Sequence, residues 1–297
     1  MQPRRFGSTG LTVSPLGLGT MTWGRDTDAH DAGEMVRAFL DSGGTVIDTA
    51  ASYADGAAEE IIAGLLHTGI ARRDVVLVGK SGVQRTASGS LVMNSGRGTL
   101  LDDLAARLVR LGADHLDLGL VQAPDRLTPA SETATALEIA VRSGRARYVG
   151  VSNYPGWASA QIAGLMSSSG SGIGLAGLEV EYSLLERGIE REVIPAAQAL
   201  GLGVIGWSGL GRGVLTGKYR RVRPADSRAA SAHLRAFVEP YLTEQAAAIV
   251  QALSVAAGGL GQTPLAVALA WARDAPGMSS VLIGPRNAIQ LSAALEA

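Results

Sequence analysis

The sequence predicts an α/β protein built as a (β/α)8 TIM barrel, closed at its N-terminal end by a β-hairpin. Short apolar runs, rich in Val, Ile and Leu, alternate with longer segments of 3.6-residue periodicity. Continuous apolar strands between helices are typical of a parallel sheet buried on both faces. The strand–helix unit recurs often enough for a closed barrel, and 297 residues is a usual length for one such domain, here residues 1–297.

The elements follow one another in regular order. The predicted strands are residues 14–20, 45–50, 75–80, 116–122, 146–153, 175–182, 201–208 and 279–285. Helical periodicity is clearest in residues 31–43, 100–112, 134–144, 190–201 and 263–274. Gly112, Gly144 and Gly201 each precede a strand, where the end of a helix favours glycine. Thr263 followed by Pro264 has the pattern of a helix N-cap and first-turn proline.

Three segments do not belong to this repeat. Residues 4–14 have a Gly-rich centre between apolar residues and predict the hairpin that closes the barrel. Residues 81–98 and 217–235 are longer than barrel loops require. Both follow strands, so both lie on the C-terminal face, where barrel active sites form. Each is either a lid or cofactor clamp, or a plain surface loop.

The composition excludes several classes of function. The chain has no cysteine, which excludes disulfides and thiolate catalysis, and its four histidines lack close ligand spacing, so no metal is expected. The net charge is −1, so neither nucleic acid nor a membrane is an expected partner. With no long apolar run and no apolar core at the N-terminus, a cytoplasmic location is expected.

Polar side chains stand at the ends of three predicted strands. Asp48 lies near the end of the second strand and Tyr53 just beyond it, Lys80 ends the third and Gln122 ends the fourth. An ammonium beside a phenol stabilises the phenolate, so we expect Lys80 to lower the pKa of Tyr53 below its usual value near 10. Asp48 would then hold Lys80 in place. An isolated Asp–Lys pair is more often a structural salt bridge, and Tyr53 is what favours a proton-donating unit.

Motifs along nearly the whole chain carry a family resemblance. They are D-T-A-x-x-Y (48–53), the strand-end Lys80, GVSNY (150–154), EYSLL (181–185), WSGLGRGVLTGKY (207–219) and IGPRNAIQL (283–291), preceded by LGLGTM (16–21). In this order they resemble the aldo-keto reductase family. The resemblance implies a barrel that binds NADPH extended across its C-terminal face and reduces aldehydes and ketones by hydride transfer from the nicotinamide.

The resemblance also implies roles for individual residues. Tyr53 would protonate the carbonyl oxygen, with Lys80 and Asp48 tuning it. Trp207 would stack on the nicotinamide, and Arg286 would pair with the adenosine 2′-phosphate. The full cofactor set is Gly19, Thr20, Met21, Asp48, Ser152, Asn153, Glu179, Trp207, Ser208, Gly209, Leu210, Gly211, Gly213, Lys218, Ile283, Gly284, Arg286 and Gln290. The basic cluster formed by Lys218, Arg220, Arg221 and Arg223 either clamps phosphates or, as favoured, is a solvated loop.

The chain departs from the family at three positions. Gln122 stands where the family usually has histidine, and His115 lies at the wrong end of that strand to replace it. A glutamine amide can donate a hydrogen bond to a carbonyl but cannot transfer a proton. We therefore expect no imidazole titration in the pH–rate profile between about pH 5 and 8. Glu179 replaces a common Gln, and either contacts the carboxamide or points away; Ala294 replaces an adenine-contacting Asn.

Three functions are compatible with these residues. The leading hypothesis is an NADPH-dependent carbonyl reductase acting on a small-molecule substrate. The second is a low-turnover, NADPH-binding sensing module, since potassium-channel β-subunits of this family carry an amide at the position of Gln122. The third is a reductase of a keto-sugar or natural-product intermediate, with Leu91, Val92 and Met93 as candidate apolar pocket walls. The oligomeric state is left open.

Overall fold

The computed structural model describes residues 1–86, 90–220, 222–225 and 227–297. Within these residues, eight parallel strands close into a barrel in which each strand pairs with the next along the chain and the last pairs with the first. The barrel strands are β3 (Leu16–Gly19), β4 (Val46–Ala50), β5 (Val76–Ser81), β8 (Leu116–Val121), β9 (Ala146–Ser152), β10 (Gly177–Glu181), β11 (Gly203–Trp207) and β12 (Ser280–Ile283). The predicted (β/α)8 barrel is confirmed.

Helices connect successive strands around the barrel. They are α1 (Ala29–Asp41), α2 (Ala57–His67), α3 (Arg97–Leu111), α4 (Ala130–Arg142), α5 (Gly156–Ser168), α6 (Val193–Leu200), α7 (Arg235–Val238), α8 (Glu244–Gly259), α9 (Pro264–Arg273) and α10 (Ala288–Leu295). Gly112, Gly144 and Gly201 have φ angles of 58°, 74° and 69°, the left-handed conformation predicted for them. The Thr263 side chain caps α9 by accepting from the Ala266 amide, also as predicted.

A small antiparallel hairpin closes the N-terminal end of the barrel. It consists of β1 (Arg4–Arg5) and β2 (Thr12–Val13). Phe6, in its turn, is fully buried, and a Cβ on Gly177 or Gly203 would come within 2.4 Å of its ring. Because these two glycines begin β10 and β11, the hairpin lies at the end predicted for it.

Strand alternation carries polar side chains to the opposite end of the barrel interior. The interior cluster includes Val46, Val78 and Leu120, one from each of three neighbouring strands. Successive side chains in a strand point to opposite faces, so every second residue shares a face. Asp48, Lys80 and Gln122 each follow one of these apolar residues by two positions. They therefore point inward at the C-terminal end.

Two connections on the C-terminal face are elaborated. The β5–α3 connection contains a second hairpin, β6 (Val83–Arg85) with β7 (Leu91–Met93). The β11–α9 connection contains a 3-10 turn over Gly211–Thr216, then α7, a 3-10 turn over Glu239–Tyr241, and α8. The sequence did not predict α8 separately.

Among the described residues, no single helix is long and apolar enough to cross a membrane, whereas α8 and α9 together have the length and composition but are bent by 99° relative to each other.

Candidate active site

A cavity of about 260 Å³ opens at the C-terminal end of the barrel. All eight barrel strands, or the loops that follow them, contribute side chains or backbone to its wall. Most residues predicted for the catalytic and nicotinamide sites line it, namely Gly19, Thr20, Met21, Asp48, Tyr53, Lys80, Gln122, Ser152, Asn153, Glu179, Trp207, Ser208, Ile283 and Gly284. Residues far apart in sequence thus share one enclosed space.

Lys80 lies between two buried carboxylates. Its Nζ is 2.5 Å from Asp48 Oδ2 and 3.0 Å from Glu179 Oε1, and all three side chains are at most 3% exposed. The Asp48–Lys80 pair is the one the sequence predicted. Glu179 faces Lys80 across the barrel, so of its two predicted orientations the inward one is observed.

The two carboxylates determine the charge state of Lys80. Burial alone would lower the pKa of its ammonium, but Asp48 and Glu179 outweigh burial and raise that pKa above its ordinary value. Burial, reinforced by Asp48 and opposed by Lys80, raises the pKa of Glu179 to about 8. Lys80 is therefore a cation at neutral and moderately alkaline pH, whereas Glu179 changes charge near pH 8.

Tyr53 begins a 3-10 turn, Tyr53–Gly56, directly beyond the end of β4. This turn places its half-buried ring over Lys80, with Nζ 5.4 Å from the ring centroid. The expected lowering of its pKa is wrong in direction. Burial raises the pKa of Tyr53 above the ordinary value, and the opposing influence of Lys80 only reduces the rise. The phenol is therefore a fully protonated donor at neutral pH.

Gln122 belongs to a chain of hydrogen bonds along the cavity wall. Its backbone N–H donates to Ser81 O at 2.8 Å, and its side-chain Nε2 donates to Ser52 Oγ at 3.2 Å. Asn153 Nδ2 donates to Gln122 O at 3.0 Å, and Asn153 Oδ1 accepts from Trp207 Nε1 at 3.0 Å. The amide, the Asn153 side chain and the indole are thus held in fixed relative positions.

A second cavity of about 300 Å³ continues from the first. Both are lined by Ser208, Arg228, Leu282, Ile283 and Gly284, so they form one elongated cleft. The predicted cofactor residues that line the distal part are Ser208, Gly209, Leu210, Gly213, Lys218, Ile283, Gly284, Arg286 and Gln290, with Ala294 beside them. Gly211 lines neither part, and a Cβ on it would come within 2.8 Å of the Leu185 side chain.

The cleft has the chemistry that a phosphorylated dinucleotide requires. Among the described residues, four cationic side chains line its distal part: Lys218, Arg228 and Arg286, which suit phosphate groups, and Arg212, which is paired with Glu181. Ser208 and Gly213 have φ angles of 58° and 93°, and this left-handed backbone curves the loop around the cleft. The residues present therefore suit a dinucleotide cofactor with phosphate groups.

Arg228 and Phe237 are two of the cleft residues that sequence reasoning missed. Arg228 donates to the Gly284 carbonyl at 2.6 Å and lies where the two cavities join; burial, together with the nearby Arg286, lowers its pKa. Phe237, in α7, stacks on Trp207 with ring centroids 6.4 Å apart. Both belong to the long β11–α9 connection. The unusual length of that connection was the available signal.

Other predicted candidates lie away from the cleft. Leu91, Val92 and Met93 do not line either cavity; they are 50%, 41% and 42% exposed on the outer hairpin, so their assignment as pocket walls is wrong. In the basic cluster, Arg220 donates to Gln251 and Arg223 is exposed, in agreement with a solvated loop. Arg221 lies outside the described residues.

Comparisons with known proteins identify the family of the chain. The profile of the Aldo/keto reductase family matches residues 15–297. The chain is 35% identical to an uncharacterized oxidoreductase, YrpG, of Bacillus subtilis, over 100% of this chain and 91% of the relative. It is 31% identical to the L-glyceraldehyde 3-phosphate reductase of Escherichia coli K12, over 100% of this chain and 87% of the relative. It is 33% identical to a probable voltage-gated potassium channel subunit beta of Oryza sativa, over 98% of this chain and 89% of the relative. The chain therefore belongs to the aldo/keto reductase family.

Proposed function

We propose that this protein reduces an aldehyde or ketone with NADPH, using Tyr53 as the proton donor and Gln122 to orient the carbonyl. The observation that carries this proposal is the single cleft that joins the Asp48–Lys80–Tyr53 cluster to the cations around Arg286. The relative that is named as a reductase of an aldehyde supports the reaction type.

The residues of the cavity divide the chemistry between them. When bound, the nicotinamide supplies the hydride that adds to the carbonyl carbon. Tyr53 gives its hydroxyl proton to the carbonyl oxygen, and Lys80 stabilises the resulting phenolate through its charge. Asp48 and Glu179 hold the Lys80 ammonium at the centre of the site. Gln122 Nε2, at the cavity wall, donates a hydrogen bond to the carbonyl oxygen and fixes its direction.

The cofactor-binding residues are proposed from the same cleft. Trp207, held by Asn153, offers the flat surface on which the nicotinamide ring would stack, and Ser152 and Asn153 would hold its carboxamide. Arg228 and Lys218 would hold the pyrophosphate, since Arg228 lies where the two cavities join and Lys218 lines the distal part. Arg286 would hold the 2′-phosphate, with Gln290 near the adenine.

Arg286→Met is expected to weaken NADPH binding by about 10–100-fold, because a charge-assisted pair contributes about 1.5–3 kcal/mol. NADH lacks the 2′-phosphate, so its affinity should change by less than about threefold. Fluorescence titration of both cofactors measures this. Arg223→Met, on an exposed arginine outside the cleft, is the control. Equal losses for NADPH and NADH in Arg286→Met would contradict the assignment.

Gln122→Ala is expected to lower kcat/KM by about tenfold, the effect of losing one hydrogen bond of roughly 1.4 kcal/mol to the carbonyl. Gln122→His restores a donor and adds a group that titrates between about pH 5 and 8. The pH–rate profile of Gln122→His should therefore acquire a limb that the parent protein and Gln122→Ala lack. The same limb in Gln122→Ala would trace it to another group.

A second function is favoured by a specific observation. Gln122 is an amide, and relatives 31–33% identical are named as probable channel subunits beta, which suggests a cofactor-binding module of low turnover. Rapid mixing of the NADPH complex with a panel of aldehydes, ketones and keto-sugars separates the two. Oxidation of NADPH by any member of the panel supports the reductase. Tight binding with no oxidation across the panel supports the module.

A further inference from the structure

The charges around Lys80 do not cancel. Two carboxylates, Asp48 and Glu179, contact one ammonium, and all three side chains are buried. When both carboxylates are ionised, the end of the cleft beside Tyr53 and Trp207 carries one net negative charge. Among the described residues, Arg228 is the other charged residue in the wall of this cavity, but it lies at the junction and donates to Gly284 O.

We propose that Glu179 makes the site bind the oxidised, cationic nicotinamide in preference to the reduced, neutral ring, and that the preference appears when Glu179 loses its proton. This inference rests on the proposed function, which puts the nicotinamide in the same cavity. A buried negative charge attracts a cation much more strongly than water-exposed charges do, because the surrounding dielectric is low. A glutamine at this position would have the same shape without the charge.

The protonation of Glu179 depends on the groups that face it from across the barrel. These are Asp48 on β4 and Lys80 on β5, with Tyr53 above them. Burial and Asp48 favour the neutral carboxyl and Lys80 favours the carboxylate, so Glu179 titrates near pH 8. Asp48, Lys80 and a neutral Glu179 sum to zero at pH 6, whereas the sum is −1 at pH 9. The pKa values of Tyr53 and Lys80 are raised, so both keep their protons across this range.

Binding and protonation must be linked reciprocally. If the carboxylate favours the cationic ring, the cationic ring lowers the pKa of Glu179. NADP⁺ binding near pH 7.5 then releases a proton to solvent, and NADPH binding does not. A fall of one unit in the pKa of Glu179 corresponds to a tenfold change in relative affinity between the two ends of the titration.

Calorimetric titration of NADP⁺ and of NADPH at pH 6, 7.5 and 9 tests the proposal. The ratio of the NADPH Kd to the NADP⁺ Kd is expected to rise by about tenfold from pH 6 to pH 9. The 2′-phosphate also titrates, near pH 6, but it is common to both cofactors and cancels in the ratio. Repeating the pH 7.5 titrations in two buffers of different ionisation enthalpy counts the released protons directly.

Glu179→Gln is the matched variant, since it keeps the size of the side chain and removes the charge. It should bind both cofactors. The ratio of the NADPH Kd to the NADP⁺ Kd should stay constant from pH 6 to pH 9, and NADP⁺ binding should release no proton. A constant ratio in the parent protein, or the same tenfold rise in Glu179→Gln, would overturn the inference while leaving the proposed function intact. Failure of both cofactors to bind would instead overturn the proposed function. The proton count on the parent protein needs no variant, so it decides the question even if Glu179→Gln does not fold.

Discussion

Tyr53→Phe is expected to lower kcat/KM for carbonyl reduction by about 10³-fold, within the range for loss of a general acid. The change removes one oxygen atom and keeps the ring over Lys80, so NADPH affinity should change by less than about threefold. Gln122 cannot replace the lost acid, because its amide has no proton to transfer. The loss should therefore appear in kcat, with little change in KM.

Tyr154→Phe is the matched control. Tyr154 is also buried, and burial raises its pKa to about 12, but it does not line the cavity described here. Its kcat/KM should stay within about twofold of the parent value. Steady-state kinetics and cofactor titration on both variants make the comparison. Full activity in Tyr53→Phe, or an equal loss in Tyr154→Phe, would remove Tyr53 from the proposed mechanism.

The raised pKa values give this mechanism a defined pH behaviour. Tyr53 stays protonated and Lys80 stays charged well above neutral pH, because both pKa values lie above their ordinary values. The Tyr53 hydroxyl therefore keeps its proton until the transfer, and Lys80 then stabilises the phenolate that forms. Any limb near pH 8 in the rate profile is assigned to Glu179.

Much of this arrangement could be predicted from local patterns. The apolar runs fixed the strand positions, and the alternation of side chains fixed which residues point inward. The inward positions of Asp48 and Lys80 follow directly from those rules, since each lies two residues after an apolar interior residue. A closed barrel then brings the strand ends together, whatever their separation in the chain.

The parts that were not predicted depend on distances across the barrel. Whether Glu179 reaches Lys80 depends on the barrel's width at that level, which periodicity does not encode. The direction of the Tyr53 pKa shift depends on the balance between burial and one neighbouring charge, and burial is a property of the whole fold. Arg228 and Phe237 belong to a long connection whose path over the cleft has no repeating pattern.

A second large effect, on stability, is expected from replacing Arg107. Its side chain contacts the backbone of β5 at Lys80. Arg107 and Glu59 are both 0% exposed, with Arg107 Nε 2.7 Å from Glu59 Oε1. Arg107 Nη2 also donates to the backbone carbonyl of Lys80. Burial lowers the pKa of Arg107, and Glu59 opposes that shift, so the guanidinium depends on its partner. Each group thus stabilises the charge of the other.

Arg107→Met is expected to reduce the free energy of unfolding by about 3–5 kcal/mol, because it leaves a buried carboxylate with one partner fewer and the Lys80 carbonyl without its donor. Arg110→Met is the control. Arg110 contacts the same carboxylate at 2.5 Å, but its side chain is 31% exposed, so its removal should cost about 1 kcal/mol. Urea unfolding followed by circular dichroism measures both.

The double variant Glu59→Leu/Arg107→Met separates loss of the ion pair from loss of the carbonyl contact. Replacing both charges with apolar side chains removes the uncompensated carboxylate, so we expect more than half of the lost stability to return. In both variants the Lys80 carbonyl lacks its donor and Lys80 is held less firmly, so we expect Arg107→Met to lower kcat/KM and the double variant to keep that loss while stability recovers. Recovery of both together would mean that Arg107 acts on the site only through stability. Equal losses in Arg107→Met and Arg110→Met would contradict the greater importance assigned to the fully buried pair.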